Sequence, residues 1–190
     1  ESLIANKQMM LRVDEEALGD VSSDVAELLA NQASELLPKA GALVISDYGK
    51  GVVNDATAES LIKQAKVAGV PVICDPKLTG LHRTKGADVV IFESRGLELM
   101  RRRLSKSTEE EAAWELVEEH GWDCLLVLGG QNGVNLYKSG QEHIHVSCTL
   151  LEPRQQIGLI DAAVVAVVAA RALSLSDLDM AHLANAACEC

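Results

Sequence analysis

Apolar and polar positions alternate along the chain in two distinct periods. Residues 21–37 carry apolar side chains at 21, 25, 28, 29, 33, 36 and 37, the spacing of an amphipathic helix. Ser22, Ser23 and Asp24 are its capping candidates and Pro38 stops it. Leu43, Val44, Ile45 and Ser46 follow as a short apolar run without helical period, which predicts a buried parallel strand. The same alternation continues: helix 55–68 ending at Gly69, strand 70–74, strand 88–92, short helix 96–104, helix 108–120 capped by Ser107, strand 124–128. Residues 134–137 and 143–146 alternate around a turn at 138–141 and predict a hairpin. Helix 158–173 is almost entirely apolar and is expected to be buried, and a last helix covers 177–190. Ahead of all these, Met9-Met10-Leu11-Arg12-Val13-Asp14 is strand-like.

Strands alternating with helices predict an α/β fold: a doubly wound, mostly parallel sheet with helices on both faces and an antiparallel edge. Repeats, low-complexity tracts and linkers are missing from the pattern, so residues 1–190 are expected to form one domain.

Composition adds little to that and excludes several classes. The chain is 48% hydrophobic but only 3% aromatic, so aliphatic residues must fill the core. A net charge of −11 argues against nucleic acid, and the longest basic run is Arg101-Arg102-Arg103 at a helix end. No apolar run reaches the roughly 18 residues of a membrane span. The sequence lacks a signal-peptide pattern and starts with Glu1, as a processed or truncated chain would, so a cytoplasmic or organellar, reducing compartment is expected. Cys74 and Cys124 fall within buried strands. Cys188 and Cys190 have no second pair, and His82, His143, His145 and His182 show no metal-ligand spacing, so no metal ligand is assigned.

The predicted strand ends carry the chemistry. They present Asp47 and Lys50, then Asp75 and Lys77, then Glu93, then Gly130 and Gly133, all toward one rim, where ligands bind in open α/β sheets. Glycines on either side of Lys50 let backbone and ammonium approach an anion together. Asp161 follows Gly158 at the start of the apolar helix, beside backbone N–H groups free to hold a phosphate. A carboxylate base, N–H donors and lysines are the parts that phosphoryl transfer needs. Plainer roles compete for each. Asp75-Pro76 would serve as a strand stop, Lys50 and Lys77 as solvated charges, Asp161 as a cap, and residues 129–133 as a hairpin entry. Glu93 would equally be a surface or capping carboxylate.

Several stretches resemble the ribokinase-like (PfkB) carbohydrate kinases, and within them the heptose 7-phosphate kinase domain of bacterial lipopolysaccharide-precursor synthesis. They are Gln8 through Arg12-Val13-Asp14-Glu15, Ser46-Asp47-Tyr48-Gly49-Lys50-Gly51, residues 68–77 ending in Asp75-Pro76-Lys77, and residues 127–133. Asp161 and Ala184-Asn185-Ala186-Ala187 complete the set. The resemblance implies phosphorylation of a sugar or sugar phosphate by ATP with Mg²⁺. It makes Asp161 the catalytic base and the turn before it, with Gly158, the anion hole. It places Gly130, Gly133 and Asn185 around the nucleotide, and Asp47, Lys50, Asp75 and Lys77 along the phosphate path.

The sequence departs from that family at four points. Ile157-Gly158-Leu159-Ile160-Asp161 stands where the family has Gly-Ala-Gly-Asp, so a β-branched Ile160 replaces the glycine beside the base. Glu93-Ser94-Arg95-Gly96 stands where the family has Asn-x-x-Glu, which organises Mg²⁺ and phosphates. Leu128 replaces a threonine beside the nucleotide. The family's long segment ahead of Gln8, with the first βα units, most of the sugar pocket and much of the lid, has no counterpart here. Two functions therefore stand side by side: a sugar or sugar-phosphate kinase, and a catalytically degenerate kinase fold serving as a binding or structural subunit. Loss of the first strands predicts an uncovered sheet edge and helix face, and hence a homo- or hetero-oligomer.

Overall fold

The computed structural model describes residues 2–5, 8–12, 19–149 and 158–189. Val13, Asp14, Glu15, Ile157 and Cys190 lie outside them. Strands β1 (Ser2–Ala5) and β2 (Gln8–Arg12) form a separate antiparallel pair. The main sheet contains β3 (Leu43–Asp47), β4 (Val72–Pro76), β5 (Val89–Glu93), β6 (Cys124–Leu128), β7 (Val134–Tyr137) and β8 (Ile144–Val146). They lie side by side in chain order. The pairings from β3 to β6 are parallel, and β7 and β8 add the expected antiparallel edge.

Six α-helices are described: α1 (Ser23–Leu36), α2 (Asp55–Ala68), α3 (Ser94–Arg103), α4 (Glu109–His120), α5 (Leu159–Ala172) and α6 (Asp177–Glu189). The strand pleat sends alternate side chains to opposite faces. Val72, Cys74, Val90, Phe92, Leu125 and Val127 pack against α2, α3 and α4. Ile73, Val89, Ile91, Cys124, Leu126 and Leu128 pack against α5 and α6. This is the doubly wound arrangement that the apolar runs predict. Fully burying each such aliphatic side chain contributes about 1.5–3 kcal/mol.

Local chemistry sets the helix ends. Asn54 caps α2 by accepting from the Thr57 N–H at 2.9 Å, and Gly69 ends it in the left-handed conformation. For α4 the cap is Thr108 rather than Ser107: its hydroxyl accepts from Glu111 N–H while the Glu111 carboxylate accepts from Ser107 and Thr108 N–H. A 3-10 turn, Leu78–Thr84, links β4 to β5. Trp122 pins it by donating its indole N–H to Thr84 O and Oγ1, both at 3.0 Å.

Two expectations about helix faces need correction. Helix α5 buries only Ala163, Val167 and Ala170, and Val165 is 68% exposed. Its apolar character all round gives no stripe to mark which side meets the sheet. Helix α1 has the expected amphipathic period, yet Val25, Leu28, Leu29 and Leu36 are exposed and only Ala26 is buried. It packs on α2. Strand β3 is the outer strand of the parallel part and leaves Val44 40% exposed.

Candidate functional site

Parallel register brings the strand ends together. Ser46 and Asp47 of β3 lie opposite Asp75 and Pro76 of β4, and Glu93 of β5 lies opposite Leu128 of β6. Helix α5 packs on β4 and β5 after the chain has completed the hairpin. Its first turn therefore reaches the same rim. A cleft of ≈190 Å³ opens there, lined by Asp75, Lys77, Glu93, Arg95 and Ile160 among others. Ile160, the departure beside the expected base, forms part of its wall.

The Asp47–Gly51 turn is rigidly built. Asp47 is buried, and its Oδ1 accepts the Gly49 N–H at 2.8 Å. Arg83 Nη1 donates to the other oxygen at 3.1 Å and to Val53 O at 2.8 Å. Arg83 Nε donates to Asp55 Oδ1 at 2.8 Å, and His82 Nε2 lies 2.9 Å from the same oxygen. The hydrogen bonds from Arg83 and then His82 hold the Asp55 carboxyl below its ordinary range. Gly51 has φ +81°, and a Cβ there would stand 2.1 Å from Gly19 O, so only glycine allows this close backbone crossing. Asp47 thus anchors the turn, while Lys50 and Lys77 remain exposed at its edge. Lys77 Nζ sits 5.5 Å from the Tyr48 ring centroid, within cation–π range.

Three carboxylates of the rim, Asp75, Asp161 and Glu93, lie near enough for their charges to act on one another. The Asp75 carboxyl is pushed above its ordinary range, first by burial and then by the negative charges of Asp161 and Glu93. Ser46, whose Oγ lies 3.4 Å from Asp75 Oδ2, and Lys77 oppose the shift. Asp161 is exposed in the first turn of α5, where Gly158 occupies the N-cap with φ 84°. Gly158 has no side chain with which to cap that end, and its carbonyl accepts the Ala162 N–H at 2.9 Å.

The glycine turn after β6 has a structural duty of its own. Gly129 N–H donates to Gly133 O at 2.7 Å, and a Cβ on Gly133 would stand 2.0 Å from Val146 O. Gly130 is exposed in the 3-10 turn Gly130–Asn132. Asn185 of α6 is buried and donates from Nδ2 to Ser147 O at 3.3 Å, joining α6 to the segment just after β8.

Among the described residues no group of three His, Cys, Asp or Glu side chains could hold a metal ion by itself. A Mg²⁺ ion brought by a nucleotide would need only one or two carboxylates, and Glu93 and Asp161 are carboxylates of this rim that could hold it. Cys74 and Cys124 are buried thiols pushed up to about 12 by burial, consistent with core positions in their strands. Sequence spacing gave no signal for Arg83, which lies in a turn that carries no helical or strand period. Arg95 was visible in sequence only as a position in a changed motif, and the structure places it in the cleft wall.

With this fold and rim in place, the class is clear: the chain belongs to the pfkB family of carbohydrate kinases, whose profile matches residues 8–190. It is 35% identical over 185 residues to the bifunctional protein HldE of Paramagnetospirillum magneticum, covering 96% of this chain and 38% of that protein. The HldE protein of Aeromonas hydrophila is 33% identical over 188 residues, with 97% and 38% covered. The chain thus spans well under half the length of these relatives. Among solved structures, the tetrameric inhibited form of phosphofructokinase-2 from Escherichia coli superposes with a TM-score of 0.74 at 22% identity, over 90% of this chain and 57% of that one. Ribokinase from Arabidopsis thaliana, solved with ribose and ATP, gives 0.67 at 21% identity, over 90% and 53%. No helix among the described residues is long and apolar enough to cross a membrane.

Proposed function

We propose that this chain carries the phosphoryl-transfer half of a sugar-phosphate kinase site, with ATP as donor and a heptose-phosphate-like acceptor. The observation that carries this reading is the placement of Asp161: a carboxylate in the first turn of α5, a helix that packs on β4 and β5, near enough to Asp75 for its charge to raise that carboxyl. In this reading Asp161 takes the proton of the attacking hydroxyl. The N–H groups after Gly158 stabilise charge on the transferred group. Lys50 and Lys77 steer phosphates toward the cleft. Asp75 holds the rim with Ser46, and Asp47 fixes the Lys50 turn. Gly130, Gly133 and Asn185 shape the nucleotide side. A nucleotide-bound Mg²⁺ would neutralise phosphate charge. The exposed β3 edge at Val44, with Leu28 and Leu36 of α1, is where a partner or second copy would cover the sheet.

One observation favours a second reading, a kinase fold that binds without turnover: Ile160 lines the cleft where an anion would sit. Calorimetric titration with Mg·ATP, with turnover measured on heptose phosphate, separates the two. The kinase reading expects binding, and a loss in Asp161→Asn of roughly two orders of magnitude or more in rate with affinity kept. Binding without turnover in the unsubstituted chain supports the second reading, and no binding at all removes the first.

A further inference from the structure

A second cleft, of ≈640 Å³, lies between α2 and the 3-10 turn Leu78–Thr84. It shares no lining residue with the rim cleft. Its volume falls in the range of small-molecule sites, about 300–1,000 Å³. Along α2, Glu59, Ile62, Lys63, Lys66 and Val67 share one stripe, and Lys85 faces them from the end of the turn.

Charge sets this cleft apart. The chain as a whole is acidic, at −11, yet here four permanent cations meet two carboxylates. One cation and one carboxylate cancel: Arg83 is bound to Asp55 and Asp47. Within the lining that leaves Lys63, Lys66 and Lys85 against Glu59, with the Asp88 carboxylate acting on Lys66 from outside it. None of the three amines has an ion pair or hydrogen bond among the described residues. Position in the last turn of α2 accounts for Lys66 as a partner of the helix dipole, but neither for Lys63 nor for Lys85 across the cleft. Gly86, whose φ of +80° favours glycine, lies alongside the Lys66 ammonium: a Cβ there would stand 3.1 Å from it. The wall between the amines is apolar, with Ile62 buried and Val67 85% exposed.

We infer that this cleft binds a phosphorylated small molecule with an apolar or aromatic body, its phosphate held by Lys63, Lys66 and Lys85. Three mobile ammonium groups suit a phosphate dianion as point charges. The apolar wall suits a ring. The acidic remainder of the surface repels nucleic acid and anionic membrane, so a small solute is the occupant. The site is independent of the kinase reading, because none of the rim side chains contributes to it.

Calorimetry of the full chain with phenyl phosphate and with inorganic phosphate tests this. Phenyl phosphate is expected to bind, and roughly tenfold more tightly than inorganic phosphate because the ring covers Val67. The triple variant Lys63→Gln, Lys66→Gln, Lys85→Gln is expected to weaken phenyl phosphate roughly tenfold or more. The rim variant Lys50→Gln, Lys77→Gln is expected to leave it unchanged. Lysine acylation footprinting of the unsubstituted chain gives a readout free of folding effects, with protection expected at Lys63, Lys66 and Lys85. No binding at roughly millimolar phenyl phosphate overturns the inference, as does equal affinity for the two probes. Loss in the rim variant, or protection confined to Lys50 and Lys77, also overturns it while leaving the kinase reading standing.

Discussion

Arg83 Nη1 reaches 3.1 Å from Asp47 Oδ2, and this pair joins the turn after β3 to the turn after β4. The Asp47 side chain is only 4% exposed and that of Arg83 19%. Breaking a buried pair leaves a charge without compensation, which costs about 3–5 kcal/mol. Arg83→Met is therefore expected to lower stability by about that amount. Asp47→Asn keeps an acceptor for the Gly49 N–H and should cost less. Urea denaturation midpoints of the two variants check the order; equal midpoints for Arg83→Met and the parent chain would refute it.

Gly133 and Gly140 both have positive φ, +77° and +68°, but different surroundings. A Cβ on Gly133 meets Val146 O at 2.0 Å and Cys148 N at 2.8 Å, whereas nothing lies within 4 Å of one on Gly140. Gly133→Ala is expected to destabilise by roughly 3 kcal/mol or more, through strain plus backbone displacement. Gly140→Ala carries only the left-handed penalty, about 1 kcal/mol. Thermal midpoints measured side by side give the contrast.

Ile160 narrows the rim cleft, so its removal should open it. Ile160→Gly is expected to tighten Mg·ATP binding while costing about 1 kcal/mol of helix stability. Calorimetry reads the first and a thermal melt the second. Unchanged or weaker nucleotide binding in this variant would place the phosphates elsewhere.

Asp75 predicts a pH dependence with a defined sign. Its carboxyl is raised in the folded chain by burial first, and by Asp161 and Glu93 next. The folded state therefore holds this proton more tightly than the unfolded one. The stability linked to it is full below the ordinary carboxylate range and is lost as pH rises through the raised value. Asp75→Asn removes the ionised form. It is expected to be more stable than the parent chain at neutral pH, with the difference shrinking toward acid pH. Denaturation midpoints from pH 3 to 7 follow the convergence; a gap that stays constant would mean that lost packing, not charge, governs the site.

Much of this could be read from residue order. The runs at 88–92 and 124–128 are strands because continuous apolar residues serve both faces of a buried sheet; the run at 43–46 is a strand too, but at the outer position, with Val44 and Ser46 exposed. Burial of the helix faces was not legible. Periodicity identifies the apolar side of α1 but says nothing about what covers it, and Leu28 and Leu36 stay exposed. The role of Asp47 was hidden because its partner, Arg83, is brought in by a turn without a period of its own. Gly133 read equally well as a nucleotide contact or a hairpin entry. The 2.0 Å approach to Val146 O accounts for the glycine by packing alone.

The chain-order sheet has a consequence for when the rim comes into being. Each strand of the main sheet pairs with its neighbour in sequence, so the sheet can grow by closing short loops one after another. Helix α5 is the exception, since it returns from beyond the hairpin to lie on β4 and β5. Asp161 comes within reach of the Asp75 charge only when that longer loop has closed. A nearly complete sheet can therefore be paired before the proposed site exists, since that site needs the longer loop closed as well.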